Sequence, residues 1–563
     1  MTKYNIERII GNKGLETITV NGFFLHSKYD PLTEAKQFAK KNYKAGNTHV
    51  LFGYGLGYIV EALKEEFVNN EKLIVIEPIL TNIDEEKENI IVIKGSKIEE
   101  IEDIITKYIS ALNNISIICS PNYEKLSPLL FKEILVQLKH KVEMNRVNVN
   151  TINAMAQEWQ KNYLFNIKNT LGDQSIEVLY KYSNLPVVVA SGGPSLTKQL
   201  SLLKSVRDQI ILIASGSTVN TLLLDNIEPD FVVSIDSQEV NYNHYKSAKF
   251  INAKFIYSMY SHYKIRERFP GEAYYFFSKG DADLLMHFNT IIQDNGIELD
   301  GGASVANFAF TIANYISNGP IALIGQDLAY TNMQTHAQNN KHFKIITDDE
   351  IKEKNMFMTK GYYDDDVLTD YTLYSMKRNF EQLLREIQLN EKIFNCTEGG
   401  IKIENFEQIP FKRFIGDFVD EKNIKSSLNT TDKKRDHHRI INNFLYELKI
   451  YEKIKILVNG NLRLLETNKS KTQFSSNILK KLNKNDELIE RYRNNTALQV
   501  IMNPLSIKVF KDFKPKNIES AEEKYARILA QNKTLYNGYL EAIDITKQYI
   551  LELCEILGKE KGE

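Results

Sequence analysis

The sequence predicts an α/β protein in three parts: a Rossmann-like N-terminal domain, a central doubly wound α/β domain and a C-terminal α-helical domain. Three observations carry that prediction. Short apolar runs alternate with helix-patterned segments, as parallel sheets covered on both faces require. Two of these runs, His49–Phe52 and Pro186–Ala190, stop abruptly in glycine turns. From His437 onward, apolar residues recur at three and four, the signature of long amphipathic helices. A chain of 563 residues is too long for one core, and the boundaries fall at 1–145, 150–420 and 421–563.

The N-terminal part opens with a hairpin, Glu16–Val20 and Gly22–His26, followed by a helix over Leu32–Tyr43. His49-Val-Leu-Phe52 then runs as a strand into Gly53, Gly55 and Gly57, with a helix over Ile59–Phe67. The next strand, Leu73–Glu77, ends in an acid. A glycine-rich first turn with a carboxylate some twenty residues on is the nucleotide-binding fingerprint of doubly wound sheets, with the acid on ribose hydroxyls. The glycines alternate as they do in adenosylmethionine-dependent methyltransferases. No catalytic constellation follows them, so the favoured reading is a Rossmann-like module without chemistry of its own.

The central part carries the strongest pattern. Three valines in Leu185-Pro-Val-Val-Val-Ala190 read as a buried strand; Gly192 and Gly193 turn tightly, and Ser195 suits the N-cap of a helix over Thr197–Val206. A strand, a glycine turn and a helix N-terminus form a seat for phosphate. Gln209–Ser217 is a second strand ending in Ser215-Gly216-Ser217, before the helix Thr218–Leu224. Asp230–Ser237 is a third, ending at Asp236 and Ser237. Lys254–Met259 and Ala273–Phe277 follow as short aromatic strands. Gly301-Gly302-Ala-Ser304 opens the helix Val305–Ile316, and Ile321–Leu328 is a strand ending at Gln326 and Asp327. In open α/β sheets ligands bind at the carboxyl edge, near a reversal of strand order. Ser, Asp and Gly also serve as caps and turn formers, but four such turns on one edge favour a nucleotide site.

Composition narrows the function. Charged residues make up 25% with a net charge of −1, and lysine and arginine are scattered rather than striped. That excludes a bulk attraction to nucleic acid or anionic membrane. Cys119, Cys396 and Cys554 fit no metal or disulfide spacing. Met1–Arg8 lacks the apolar core of a signal peptide, and no apolar run has spanning length. A soluble, cytoplasmic protein without a membrane span is expected.

Ser191-Gly-Gly-Pro-Ser-Leu196, Ser234-Ile-Asp236, Gly301-Gly-Ala-Ser304, Gly325-Gln-Asp-Leu-Ala-Tyr330 and Asn395-Cys-Thr-Glu-Gly-Gly400 together resemble the motility accessory factor (Maf) family of bacterial flagellin glycosyltransferases. The early His26-Ser-Lys-Tyr-Asp-Pro31 belongs to the same resemblance. The central domain is also related to hydroxymethylpterin diphosphokinases and, more distantly, similar to bacterial sialyltransferases that use CMP-sialic acid. The resemblance implies transfer of a nonulosonic acid (pseudaminic, legionaminic or related) from a CMP-activated donor to Ser or Thr of flagellin, in flagellar assembly and motility. No metal or other cofactor is implied, because the CMP-sugar is itself activated. The alternatives are a pterin diphosphokinase and a non-catalytic flagellin-binding chaperone.

On this reading Ser191, Gly192, Gly193, Pro194 and Ser195 hold the CMP phosphate, with Ser215, Gly216 and Ser217 beside them. Asp236, Ser237, Gln326 and Asp327 bond hydroxyls or the base, and Gly301, Gly302 and Ser304 supply a second helix N-terminus. His336 is chosen as the base for the acceptor hydroxyl, having the right pKa, with His342, His244 and His262 in reserve. Tyr330 is placed as donor to the departing phosphate and Glu398 as a positional residue. Asp364-Asp-Asp366 reads as a solvated turn, and the hydrophilic stretch between His342 and Phe380, densest in charge over Lys344–Lys360, as a mobile acceptor-side loop that shields the CMP-sugar from water. Asn503–Pro504 is expected to break the C-terminal helices, which recognise flagellin or simply prop the central domain.

Overall fold

The computed structural model describes residues 4–68, 71–81, 83, 86–87, 89–96, 101, 104–105, 107–109, 114–302, 304–386, 392–422, 424–425, 435–468, 472–515 and 519–559, with backbone alone at 137 and 140–150. The fold is α/β, with parallel sheets and long C-terminal helices. The chain divides into two compact units. One comprises Met1–Ala154, Leu464–Leu479 and Asn503–Tyr536, the other Met155–Arg463, Lys480–Met502 and Asn537–Glu563. The C-terminal helical region is therefore shared between both units.

The first unit begins with an antiparallel sheet of β1 (Ile6–Ile10), β2 (Glu16–Val20) and β3 (Phe23–Phe24). Its main sheet contains β4 (Asn47–Phe52), β5 (Leu73–Glu77), β6 (Glu86–Lys87), β7 (Ile90–Lys94) and β8 (Asn114–Cys119). The order is β6-β7-β5-β4-β8, parallel except for β6 at the edge. Strand order thus reverses at β4. β5 is buried along its whole length, which explains why it reads as a continuous apolar run rather than an alternating one.

The second unit holds the large sheet. Its strands are β9 (Gln174–Ser175), β10 (Val187–Ala190), β11 (Ile211–Ser215), β12 (Phe231–Ser234), β13 (Lys254–Ser258), β14 (Ala273–Ser278), β15 (Glu298–Leu299), β16 (Ile321–Ile324), β19 (Ile393–Asn395) and β20 (Glu407–Gln408). A separate hairpin pairs β17 (Phe357–Lys360) with β18 (Asp366–Thr369). The main order is β15-β14-β13-β12-β11-β10-β16-β19-β20, all parallel, with β9 against β14. From β10 the chain steps outward through β15, then returns to β10's other side as β16. β10 is therefore the switch point. Its three valines are buried, each stabilising the sheet by ~1.5–3 kcal/mol relative to exposure.

Register sets the height of the loops. Ala190 lies level with Ala214 on one side and Ile324 on the other. The turns beginning at Ser191, Ser215 and Gly325 consequently leave the sheet abreast.

The helix after β10 runs from Leu196 to Ser205, and the helices Thr218–Leu224 and Val305–Ile316 start where the sequence places them. The segment expected as a mobile loop folds into a helix, Asp348–Glu353, with a Thr347/Glu350 capping box, followed by β17 and β18. Asp364 lies in the hairpin turn, paired with Lys402 at 3.0 Å. Pro504 departs from expectation, since it sits inside the helix Gln499–Asp512. The missing N–H costs one bond, to the Val500 carbonyl; burial of Val500, Ile501, Met502 and Val509 holds the helix. In the second unit His287, fully buried, bridges the Tyr163 hydroxyl (2.6 Å) and Glu447 (2.8 Å), joining the sheet's helices to His437–Thr467.

Candidate functional site at the β10 switch point

A cavity of about 250 Å³ opens at the carboxyl ends of β10, β11 and β16. Ten residues singled out from the sequence line it: Ser191, Gly192, Gly193, Pro194, Ser215, Gly216, Ser217, Gln326, Asp327 and His336. The level register explains the convergence, because three adjacent turns leave the sheet at one height.

Close approach of the turns demands glycine. A Cβ on Gly193 would lie 2.3 Å from an Asp327 carboxylate oxygen and 2.5 Å from the Gly325 carbonyl. The Gly193 amide donates to that same carbonyl at 2.9 Å, tying the β10 turn to the β16 turn. Ser191 Oγ donates to Gln326 Oε1, which leaves the Gln326 amide N–H groups as donors.

Asp327 has a different place from the one the sequence implied. It is fully buried and accepts from the Ser195 amide at 3.2 Å and the Ser195 hydroxyl at 2.7 Å. Burial holds its carboxyl above the usual range, against the Thr331 and Ser195 bonds that favour the anion. The N-terminus of helix Leu196–Ser205 therefore already has a carboxylate from the protein itself. Ser195, whose hydroxyl goes to Asp327 instead of capping, does not line the cavity.

Seven further predicted residues also lie off the lining. Tyr330 donates its hydroxyl to Asp370 at 2.7 Å, and burial raises its pKa. Glu398 accepts from the Phe411 amide at 2.9 Å, at the start of helix Phe411–Phe418. Ser304 caps its helix through the Asn307 amide, while Gly301 packs on Phe308 and Gly302 takes a positive φ beside Asn379. Asp236 and Ser237 follow β12; their carbonyls accept from the His262 amide and the Asn162 side chain. Burial raises the Asp236 carboxyl.

His336 enters on the loop after β16. Its Nδ1 is buried without a hydrogen-bond partner. Burial, with His342 nearby, holds the imidazole below the ordinary histidine range. The His342 ring stands 5.7 Å from it, and His244 stands 5.0 Å beyond His342. His262 is turned to Glu239 at 3.0 Å. Among the described residues no lysine or arginine lines the cavity, and no group of three or more His, Cys, Asp or Glu could hold a metal ion.

The lining also includes residues not foreseen. Leu373 and Met376 come from the helix Tyr371–Glu386, Ala306 from the first turn of Val305–Ile316, and Thr218 and Thr335 from beside predicted positions. Leu373 and Met376 carry a helical spacing that reads only as packing.

A model of the MptE-like family, 6-hydroxymethylpterin diphosphokinase MptE-like, matches residues 161–333. That span contains β10 to β16 and hence the turns of the cavity. Among solved structures, a Maf glycosyltransferase from Magnetospirillum magneticum AMB-1 is similar over 99% of this chain and 91% of its own, with TM-score 0.52 and 14% identity. The chain shares that protein's fold. A search of curated proteins finds no match. Among the described residues no helix is long and apolar enough to cross a membrane.

Proposed function

We propose that the chain is a glycosyltransferase that moves a nonulosonic acid from a CMP-activated donor to a Ser or Thr hydroxyl of flagellin in the cytoplasm. The observation that carries this reading is the meeting of three small-residue turns and one histidine at the switch point of a sheet whose fold is that of a Maf glycosyltransferase. A volume of about 250 Å³ falls below the ~300–1,000 Å³ of usual ligand clefts. It suits the phosphate and nearby groups of the donor, with the sugar toward the mouth.

The chemistry needs an anion seat and a base. As the bond from the anomeric carbon to phosphate breaks, the leaving CMP is met by hydroxyl and amide dipoles of Ser217 and Gln326. The acceptor oxygen bonds to that carbon, and its proton passes to His336. A depressed pKa keeps this imidazole neutral near pH 7 and ready to accept.

The MptE-like match supports a second reading, pyrophosphate transfer from ATP to a pterin alcohol. Thermal shift separates the two. CMP should raise the melting temperature if the transferase reading holds. A rise with ATP and Mg²⁺ alone favours the diphosphokinase, and none with any nucleotide favours a flagellin-binding chaperone. Co-expression with flagellin and a nonulosonate pathway, read by intact mass, then tests transfer itself.

A further inference from the structure

Asn340 lies where three parts of the cavity wall meet. It is almost completely buried, and its Nδ2 donates to Ser217 Oγ at 3.1 Å. Its Oδ1 accepts from the His342 amide at 2.9 Å. Its backbone N–H donates to the Ala337 carbonyl, and the Ala337 amide donates to the Gly192 carbonyl, both at 3.0 Å. A Cβ placed on Gly192 would lie 3.2 Å from Asn340 Nδ2 and 3.7 Å from the His336 ring. The side chain thus fastens the loop bearing His336 to the turn after β11, while the Ala337 amide ties the same loop to the turn after β10.

This matters because a general base is normally aimed by a third group bonded to its far nitrogen. His336 Nδ1 has no side-chain partner, and the ring's one hydrogen bond is to the backbone of His342 in the same loop, so the ring takes its place from that loop. That loop is closed at its base by Thr335, whose hydroxyl donates to the His342 carbonyl at 2.8 Å and whose amide donates to Lys344 at 3.0 Å. Asn340 closes the other end. Its second effect is on polarity. Because Ser217 Oγ accepts from Asn340, the serine's own O–H is left to donate, and Ser217 lines the cavity.

We propose that Asn340 is a positioning residue that holds His336 over the cavity and turns the Ser217 hydroxyl into it as a donor. The role in transfer rests on the proposed function; the geometric claim does not. Asn340→Ala should lower kcat ~10²-fold with little change in CMP affinity, and move the acidic limb of the pH profile upward as His336 gains solvent. Asn340→Asp keeps the bond to the His342 amide but draws the Ser217 proton toward the new carboxylate. It should weaken CMP binding more than Asn340→Ala does.

Labelling His336 with diethyl pyrocarbonate, read by peptide mass spectrometry on the folded full-length chain, needs no substrate. Asn340→Ala should raise the labelling rate several-fold. An unchanged rate overturns the proposal whether or not the wild type transfers sugar. Faster labelling with kcat unaltered retains the clasp but removes its part in turnover. A wild type that binds no CMP refutes the proposed function and leaves the labelling result standing.

Discussion

β4 and β10 each stand where the order of a parallel sheet reverses, and each runs into glycines. After β4 the protein fills the turn with its own groups. Glu77, fully buried, accepts from the Tyr54 amide at 2.8 Å, the Gly55 amide at 3.2 Å and the Tyr123 hydroxyl at 2.5 Å. Its second oxygen accepts from the Ile79 and Leu80 amides at 2.8 and 2.9 Å. His26 Nε2 accepts from the Leu56 amide at 2.8 Å. The carboxylate expected on a ribose is occupied inside the turn. After β10 the neighbours are the small turn Ser215-Gly216-Ser217 and a loop histidine, and a cavity remains. The difference teaches that a glycine turn at a switch point becomes a site only when what packs against it is small.

The sharpest way to break the comparison is His336→Ala. If the β10 turn is the working one, sugar transfer should fall ~10²–10⁴-fold, the usual range for a general base, while CMP affinity stays within a few-fold. Transfer at the wild-type rate would move the chemistry elsewhere.

Paired glycine substitutions sharpen it next. Gly193→Ala drives a Cβ into Asp327 and the Gly325 carbonyl, both within 2.5 Å; Gly53→Ala drives one into the Tyr123 ring at a φ of 104°. Each overpacks its turn by ~1–3 kcal/mol or more. The expected outcomes differ. Gly193→Ala should abolish the CMP-induced rise in melting temperature. Gly53→Ala should weaken hydrogen-exchange protection of β4 and β5 and leave CMP affinity unaltered. The reverse pattern would assign the nucleotide to the first unit.

Much of this was legible in the chain itself. Apolar runs mark β4, β5, β10, β11, β12 and β16, with β4, β10, β11 and β16 running on into glycine, because strands buried on both faces carry few polar positions to confuse the signal. The cavity's turns were legible because several small-residue turns recur at strand ends of one sheet edge, although any one of them could be a cap or a turn former. What closes a turn was not. Tyr123 lies 46 residues beyond Glu77 and His26 lies 30 before Leu56, and no local pattern links them. Asp327 lines the cavity and at the same time bonds Ser195, a second engagement that an acid at a strand end does not announce in the sequence. Asn340 gave no signal, being one amide in a polar loop. Pro504 reads as a stop, yet packing of Met502 and its neighbours carries the helix through it.

The smallest effect is set by His26, which tests whether the β4 turn is closed by a neutral imidazole. Burial pushes its pKa down from 6.5 to about 4. Above pH 6.5 the ring is neutral whether the chain is folded or unfolded, and the stability it permits is fully present. As pH falls below 6.5 the unfolded chain takes up a proton that the folded chain refuses, so stability drops with falling pH until about 4. Between pH 7 and 5 the loss is ~2 kcal/mol. His26→Gln keeps an acceptor for the Leu56 amide but cannot titrate, so its acid loss should be smaller by that amount in the exchange of β4 and β5 amides. Equal losses in both proteins would mean that the proton enters elsewhere and that the closed turn is not a neutral seal.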